Sequence, residues 1–147
     1  MAYHTEVSAW KTAASEAQAI RTAVFVQEQG VDVVLERDGR DPTCLHVLVR
    51  DGAGQALATG RLLPDDHIGR LAVLASVRGK GLGSLALTAL VSAAYRRGAR
   101  VVRLNAQADA EAFYRRHGFV ASGAVFMEAG IAHLPMSLHL QGLDDAP

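Results

Sequence analysis

The chain has 147 residues, half of them hydrophobic, and its 15 basic side chains balance 15 acidic ones. That size fits one domain whose core needs neither disulfide nor metal. The balanced charge, with no basic stripe, argues against nucleic acid or an anionic membrane as the main partner. The N-terminus lacks a signal-peptide layout, and no window approaches the roughly 20 apolar residues of a membrane span. We therefore expect a cytoplasmic protein. Its single cysteine, Cys44, is expected to be a small residue at the start of a buried strand.

Apolar periodicity and turn residues divide the chain into alternating strands and helices. Ser15 and Gln18 have the spacing of a capping box. Asp51-Gly52 between two apolar runs predicts a hairpin, and Asp109 is expected to cap a short helix. The predicted elements are a helix over 15–30, a loop over 31–43, strands over 45–50, 55–63 and 68–74, a helix over 82–97, a strand over 101–105, a helix over 109–118, and strands over 119–128 and 132–140.

This order of elements predicts a mixed α/β (α+β) fold, with a mostly antiparallel sheet and helices on both faces. We expect a single domain over residues 1–141, followed by a frayed polar tail over 142–147. In the helix over 82–97, one apolar stripe is expected to face the core, made of Leu82, Leu85, Ala86, Ala89, Leu90 and Ala93.

A glycine-rich turn joins the strand over 68–74 to this long helix. Glycines let backbone amides approach a ligand, and the helix N-terminus adds unpaired N–H groups and partial positive charge. Such a turn suits phosphate or pyrophosphate, although a tight turn with no ligand remains open. The spelling fits neither a Walker loop nor the dinucleotide fingerprint. The residues of the turn are Arg78, Gly79, Lys80, Gly81, Leu82, Gly83 and Ser84.

The turn resembles motif A of the GNAT superfamily of N-acetyltransferases, in which Arg78, Gly81 and Gly83 match the pattern R/Q-x-x-G-x-G/A. Residues 105–108 and 113–119 are similar to motif B. Segments at 21–29, 36–41, 61–64 and 128–133 resemble the small bacterial ElaA/YjcF-like branch. The matches follow one another in the expected order from Arg21 to Leu140.

The resemblance implies a GNAT-like sheet whose central parallel strands splay apart to form an acetyl-CoA cleft. It implies that the strand residues Leu71, Ala72 and Val73 bind the pantetheine arm through their backbone. The amides from Arg78 to Ser84 would bind the pyrophosphate, and Asn105 and Phe113 would line the far side of the cofactor. Tyr114 matches the general acid that protonates the departing thiolate; its alternative is a core tyrosine.

Direct transfer to an amine also requires a base or a water relay. The candidates are Glu28, Glu36, Glu128 and His133, because they lie in the branch-like segments. Each has a structural alternative, such as a loop ion pair for Glu36 or a carbonyl-bonded strand histidine for His133. The branch usually has Glu-Asp-Gly-Ile-Pro-His at 128–133, whereas this chain has Ala129 and Ala132 at the Asp and Pro positions.

The implied reaction moves an acetyl group from acetyl-CoA to a primary amine of a small molecule or peptide. The acids of the loop over 31–43 either attract a cationic amine or form a solvated surface; they are Asp32, Glu36, Asp38 and Asp41. Two other functions stay open, a non-catalytic acyl-CoA-binding module and an interaction domain with an empty turn. The six histidines have no metal-site spacing, so no metal is expected. A homodimer is compatible with the resemblance.

Overall fold

The computed structural model describes residues 2–140, which form an open eight-stranded sheet. Its strand order is β1-β2-β3-β4-β5-β8-β6, and β7 pairs with β8 as well. Among these strands only β4 and β5 are parallel, which confirms the mixed, mostly antiparallel sheet. The strands are β1 His4–Ala9, β2 Leu45–Arg50, β3 Ala56–Leu62, β4 His67–Val73, β5 Val101–Gln107, β6 Val120–Ala121, β7 Phe126–Glu128 and β8 Ile131–His139.

Helices cover both faces of the sheet, as expected. Alternate residues of β2 divide between two cores, with Leu48 on the side of α1 and Val47 and Val49 on the side of α3. Complete burial of a leucine such as Leu87 in α3 stabilises the fold by about 1.5–3 kcal/mol. The helices are α1 Trp10–Arg21, continued by a π-helix Thr22–Glu28, then α2 Val33–Glu36, α3 Leu82–Arg96 and α4 Glu111–Arg116, with 3-10 turns at Asp41–Thr43, Ala75–Val77 and Ala108–Ala110.

The first helix does not begin at the capping box. It begins at Trp10 and has no side-chain cap, so Ser15 lies inside it. The segment around Ser15 is rich in alanine, which favours helix without a cap. Two of these alanines, Ala13 and Ala17, are completely buried and let the helix lie close to the sheet.

One further prediction about the helices was wrong, and the predicted stripe of α3 was right except at Leu85. Asp109 does not cap α4: the N-cap is Ala110, and Asp109 lies in the 3-10 turn that leads out of β5. In α3, Leu85 is 39% exposed while Leu87 is buried, because the buried stripe is rotated toward Leu82, Ala86, Leu87, Leu90, Ala93 and Ala94.

The strand predictions miss β1, and the strand predicted over 119–128 is too long. β1 is a polar edge strand held by backbone pairing with β2, so it has no apolar alternation to reveal it. The segment over 119–128 is interrupted between β6 and β7, where Gly123 packs against the ring of Pro135. The predicted tail over 142–147 lies outside the described residues.

The acidic loop is tied to the sheet by buried ion pairs. Arg21, at the end of α1, is 1% exposed and donates to Glu36 Oε2 and Asp41 Oδ1, both at 2.8 Å. Arg61 on β3 donates to Asp41 at 3.0 Å and to Asp38 at 2.5 Å. Glu36 and Asp41 are therefore not part of a solvated surface, and the charges of Glu36, Asp38 and Asp41 are balanced by arginines. Asp32 is exposed, as one alternative expected, and its side chain caps α2.

These contacts make the loop sensitive to acid. Burial raises the pKa of Asp41, but the charges and hydrogen bonds of Arg21 and Arg61 outweigh it and lower the pKa overall. Hydrogen bonds from Arg61 hold the pKa of Asp38 well below its usual range. Because both folded-state pKa values are lowered, this stabilisation is complete above the unfolded-state pKa of about 3.9 and is lost as pH falls below it.

Replacing Asp41 tests the role of this network in stability. We expect Asp41→Asn to lower the free energy of unfolding by about 3 kcal/mol, since it leaves two buried guanidinium groups undercompensated. Urea unfolding at neutral pH measures the loss, and the variant should show a weaker dependence of stability on pH below about 4. Asp109→Asn, at an exposed position, is the matched control. Equal stability of both variants would contradict a structural role for Asp41.

Candidate active site

A cleft of about 730 Å³ opens where β4 and β5 separate. These strands pair only at His67 with Arg103 and at Ile68 with Leu104. Beyond that point β4 continues along β3 while β5 continues along β8. The cleft is therefore a gap in the middle of the sheet, walled by β4, β5, the π-helix, the loop after it, α4 and the β7–β8 turn.

A bulge in β4 coincides with the separation of the strands. Arg70 adopts a left-handed φ of 51°, and the pairing with β3 shifts between Thr59–Ala72 and Arg61–Gly69. Bulges bend a strand and re-aim its side chains. Past Ile68, the β5-facing edge of β4, which includes Leu71, Ala72 and Val73, has no strand partner in the described sheet, although the Val73 carbonyl accepts from Arg78 Nε. Leu71 also lines the cleft.

The glycine-rich turn lies at the far end of β4, outside the walls of the cleft. Gly79 and Gly81 have φ of 80° and 84°, and Gly81 precedes the first turn of α3. The first hydrogen bond of α3 runs from the amide of Leu85 to the carbonyl of Gly81. The preceding amides of Leu82, Gly83 and Ser84 are left for an anion at the helix N-terminus. Lys80 is exposed in this turn.

The N-terminus of α3 is packed directly against α4. A Cβ on Gly83 would lie 3.4 Å from the ring of Phe113, so glycine permits this approach. Ser84 Oγ is 2.9 Å from His117 Nε2. Asn105 on β5 lines the cleft. Phe113 does not line it and instead packs against the hydrophobic core. The fold therefore gathers the motif A and motif B residues at one place, although they lie more than 20 positions apart.

The end of the π-helix spans the open side of the cleft. Glu28 pairs with Arg78 through contacts of 2.5 and 2.7 Å, and Arg78 Nε also donates to the carbonyl of Val73. Gln29 and Gln107 bond each other through their side-chain amides at 2.9 Å. One strap of two residues thus connects the ends of both splayed strands.

Tyr114 forms part of the cleft wall. It is half-buried and makes edge contacts with Phe113 and Phe119. Within residues 2–140 its hydroxyl has no hydrogen-bond partner, so that proton is available to a ligand. Burial raises the pKa of Tyr114 to about 12. The phenol is therefore fully protonated at neutral pH and is a weaker acid than an exposed tyrosine.

The four base candidates differ in whether their side chains are already bonded to other residues. Glu28 lies outside the cleft, and the hydrogen bond from Arg78 lowers its pKa. Glu36 borders the cleft, but its Oε2 accepts hydrogen bonds from both Arg21 and Arg70. Glu128 is exposed at the cleft and forms no ion pair with the described residues.

His133 is the candidate whose orientation is fixed by its neighbours. Its Nδ1 lies 2.8 Å from the carbonyl of Ile131, so Nδ1 carries the proton in that bond. In the neutral ring, Nε2 is then left with a free lone pair. The ring is stacked on Phe126 at a centroid distance of 5.7 Å and lines the cleft. His133 therefore forms the predicted carbonyl contact and still keeps an accepting nitrogen.

Residue types alone did not single out Arg61, Arg70, Gln29 or Gln107. Arg61 is a cation within β3, whose seven residues are all buried, and a cation inside such a strand was the available signal for a buried ion pair. Across residues 2–140 no group of three or more His, Cys, Asp or Glu side chains is arranged around a common metal position. Over the same residues, no helix combines the length and apolarity required to cross a bilayer.

Comparison with known proteins finds the same architecture. The family model described as "Acetyltransferase (GNAT) domain" matches residues 7–140. The uncharacterised N-acetyltransferase YjcF of Bacillus subtilis is 40% identical over 121 residues, covering 80% of this chain and 86% of YjcF. Among solved structures, an acyl-CoA N-acyltransferase from Pseudomonas aeruginosa superposes with a TM-score of 0.81 at 32% identity, covering 93% of this chain and 99% of that one. Escherichia coli ElaA gives a TM-score of 0.81 at 26% identity, with 94% and 100% covered.

Proposed function

Because the chain belongs to the GNAT acetyltransferase family and is an acyltransferase, we propose that it moves an acetyl group from acetyl-CoA directly to a primary amine of a small molecule or peptide. The observation that carries this proposal is the placement of two features along the splayed strand β4. A helix N-terminus with free amides follows β4, and the unpartnered hydroxyl of Tyr114 lies where β4 and β5 separate.

The residues around the splayed strands suit an elongated, phosphate-bearing ligand. The turn from Arg78 to Ser84 would hold the pyrophosphate by backbone amides, because the Arg78 guanidinium is engaged by Glu28 and Val73. The free edge at Leu71, Ala72 and Val73 would bond the amide groups of the pantetheine arm. Asn105 and Phe113 would bound the same channel from the side of β5 and α4.

Acetyl-CoA supplies a thioester whose carbonyl carbon can form a C–N bond as its C–S bond breaks. Tyr114 would donate a hydrogen bond to the departing sulfur and then its proton. A phenol with a pKa of about 12 holds that proton until a strongly basic atom faces it. The role of Tyr114 is thus to stabilise negative charge as it develops.

We infer that His133 accepts the proton that the amine loses. Its Nδ1–H is fixed on the Ile131 carbonyl, which leaves Nε2 as an accepting atom in the cleft. Glu128, exposed on the same β7–β8 hairpin, is the next candidate. Glu28 and Glu36 are less suited, because arginines already occupy their carboxylates.

Two glycines with the same backbone conformation allow a controlled test of the turn. Gly81 and Gly54 have φ of 84° and 86°, and nothing lies within 4 Å of an added Cβ at either. Alanine at either site should cost about 1–2 kcal/mol of stability. Only Gly81→Ala should also weaken acetyl-CoA binding, by about tenfold, because the turn amides move. Isothermal titration measures both affinities; wild-type affinity in Gly81→Ala would separate this turn from the cofactor site, and no binding by the wild type would reject the function.

Removing the Tyr114 hydroxyl tests its role in the transfer step. We expect Tyr114→Phe to lower kcat about 10²-fold while the Kd for acetyl-CoA changes little, because the hydroxyl acts on the departing thiolate. Thiol release from acetyl-CoA over an amine panel provides the assay. In the wild type no loss of activity from Tyr114 ionisation should occur below about pH 11. Unchanged kcat in the variant would remove Tyr114 from the mechanism, and wild-type binding without thiol release would favour a non-catalytic module.

The base is tested by two variants of the same hairpin. His133→Gln should reduce kcat by about 10²-fold or more, whereas Glu128→Gln should change it less than about tenfold. Acetyl-CoA binding, measured in parallel, should be unaffected in both. The reverse order of effects would assign proton transfer to Glu128, and two active variants would point to a water relay.

A further inference from the structure

Three arginines line the cleft from three different elements. Arg40 lies in the loop before β2, Arg61 on β3 and Arg70 at the bulge of β4. The carboxylates nearest to them are already shared within the buried network described above. Arginine N–H groups that are still unbonded at this wall therefore help to determine which ligands the cleft can bind.

Arg70 uses only part of its guanidinium group in the protein. Its Nε donates to Glu36, and its Nη2 donates to the carbonyls of Leu35 and Glu36. Its Nη1 has no partner among the described residues, and the side chain is 26% exposed. Burial, followed by repulsion from Arg61, lowers the pKa of Arg70 despite the nearby carboxylates. The buried network around Arg70 pairs three arginines with three carboxylates, so the group that Arg70 can still offer to a ligand is its unbonded Nη1.

Arg61 and Arg40 add further donors at the same wall. Arg61 is 4% exposed, and both of its terminal nitrogens are bonded to Asp38 or Asp41. Its Nε is buried and has no acceptor within residues 2–140. The guanidinium of Arg40 is exposed and has no hydrogen-bond or ion-pair partner in the same range. Because the Arg61 nitrogens are buried or already bonded, Arg40 and the free Nη1 of Arg70 are the donors left for a ligand, with the charge of Arg61 beside Arg70.

The remaining carboxylates of the cleft do not cancel these donors. Asp65 accepts a hydrogen bond from the amide of His67, and its carboxylate lies 3.2 Å from the ring of that histidine. Glu128 lies on β7, and β5 and β8 separate that strand from β4 in the sheet. The cleft is consequently polarised, with free arginine donors toward β3 and β4 and basic acceptor atoms toward β7 and β8.

We propose that the acetyl acceptor carries an anionic group, a carboxylate or a phosphate, in addition to its amine, and that Arg40 and Arg70 bind this group, with the charge of Arg61 beside them, while the amine faces His133. This inference rests on the proposed function, because it names the chemical class of the same reaction's acceptor. Guanidinium groups suit the task because their planar N–H donors match carboxylate and phosphate oxygens. Anchoring one end would place the amine at the other end of the cleft.

Arginine side-chain NMR can test this binding without any acetyl transfer. Nε–Hε signals of Arg61 and Arg70 would be followed in the protein with coenzyme A present. The probes form matched pairs, phenylalanine with phenylalaninamide, and phosphoethanolamine with ethanolamine. We expect at least one probe that carries the carboxylate or phosphate to shift these signals and its partner without that group to leave them unchanged. The responding pair distinguishes carboxylate from phosphate.

Two variants of one loop control the titration. Arg40→Gln should weaken binding of the responding probe about tenfold. Arg37→Gln should not, because Arg37 is equally exposed but lies outside the cleft wall. In turnover assays the partner without the anionic group should have a kcat/KM at least about tenfold lower. Absence of any shift with both probes that carry the group, or equal shifts with their partners, would overturn the proposal. Lack of thiol release with intact anion binding would instead reject the acetyltransferase function alone.

Discussion

The parallel pairing of β4 with β5 stops after two residue pairs, and the rest of the site depends on that separation. The bulge at Arg70 turns β4 away from its neighbour, while β5 stays in register with β8 along its whole length. A gap in the centre of a sheet exposes backbone hydrogen-bonding groups that would otherwise be paired. A ligand can satisfy these groups, and Tyr114 and His133 line the resulting space.

Buried ion pairs surround the bulge at Arg70. Arg70 bonds Glu36, which Arg21 also holds, so the loop after the π-helix is fixed against the sheet beside the cleft. Buried ion pairs contribute little net stability over apolar packing but are costly to break. Their value here is positional, since they hold a polar wall in place and leave selected arginine nitrogens free. The strap of Glu28 and Gln29 links the same segment to both splayed strands.

Local sequence signals predicted those parts of the protein that local chemistry decides. The β2–β3 hairpin forms around Asp51, whose carboxylate accepts from the amides of Ala53 and Gln55. The glycine turn has the positive φ angles that glycine permits. At Ala129 the chain departs from the branch pattern, and there the structure keeps a tight turn with φ of 52° at Ala129 and 74° at Gly130. Two positive φ angles suit a hairpin turn, and alanine tolerates them at a cost of about 1–2 kcal/mol.

The sequence by itself determined the mixed fold, the position of the phosphate-binding type of turn and the family to which the chain belongs, because these follow from short-range patterns of glycine, apolar and turn residues. Tertiary structure alone decided what the charged residues do. An ion pair was one of the alternatives for Glu36, but only the fold shows its partners: Glu36 and Asp41 are neutralised by Arg21 and Arg61, which lie at least 15 positions away. The free Nη1 of Arg70 and the lone pair of His133 are likewise set by partners brought together in space. Pairing between charges depends on distance in the fold rather than on spacing along the chain.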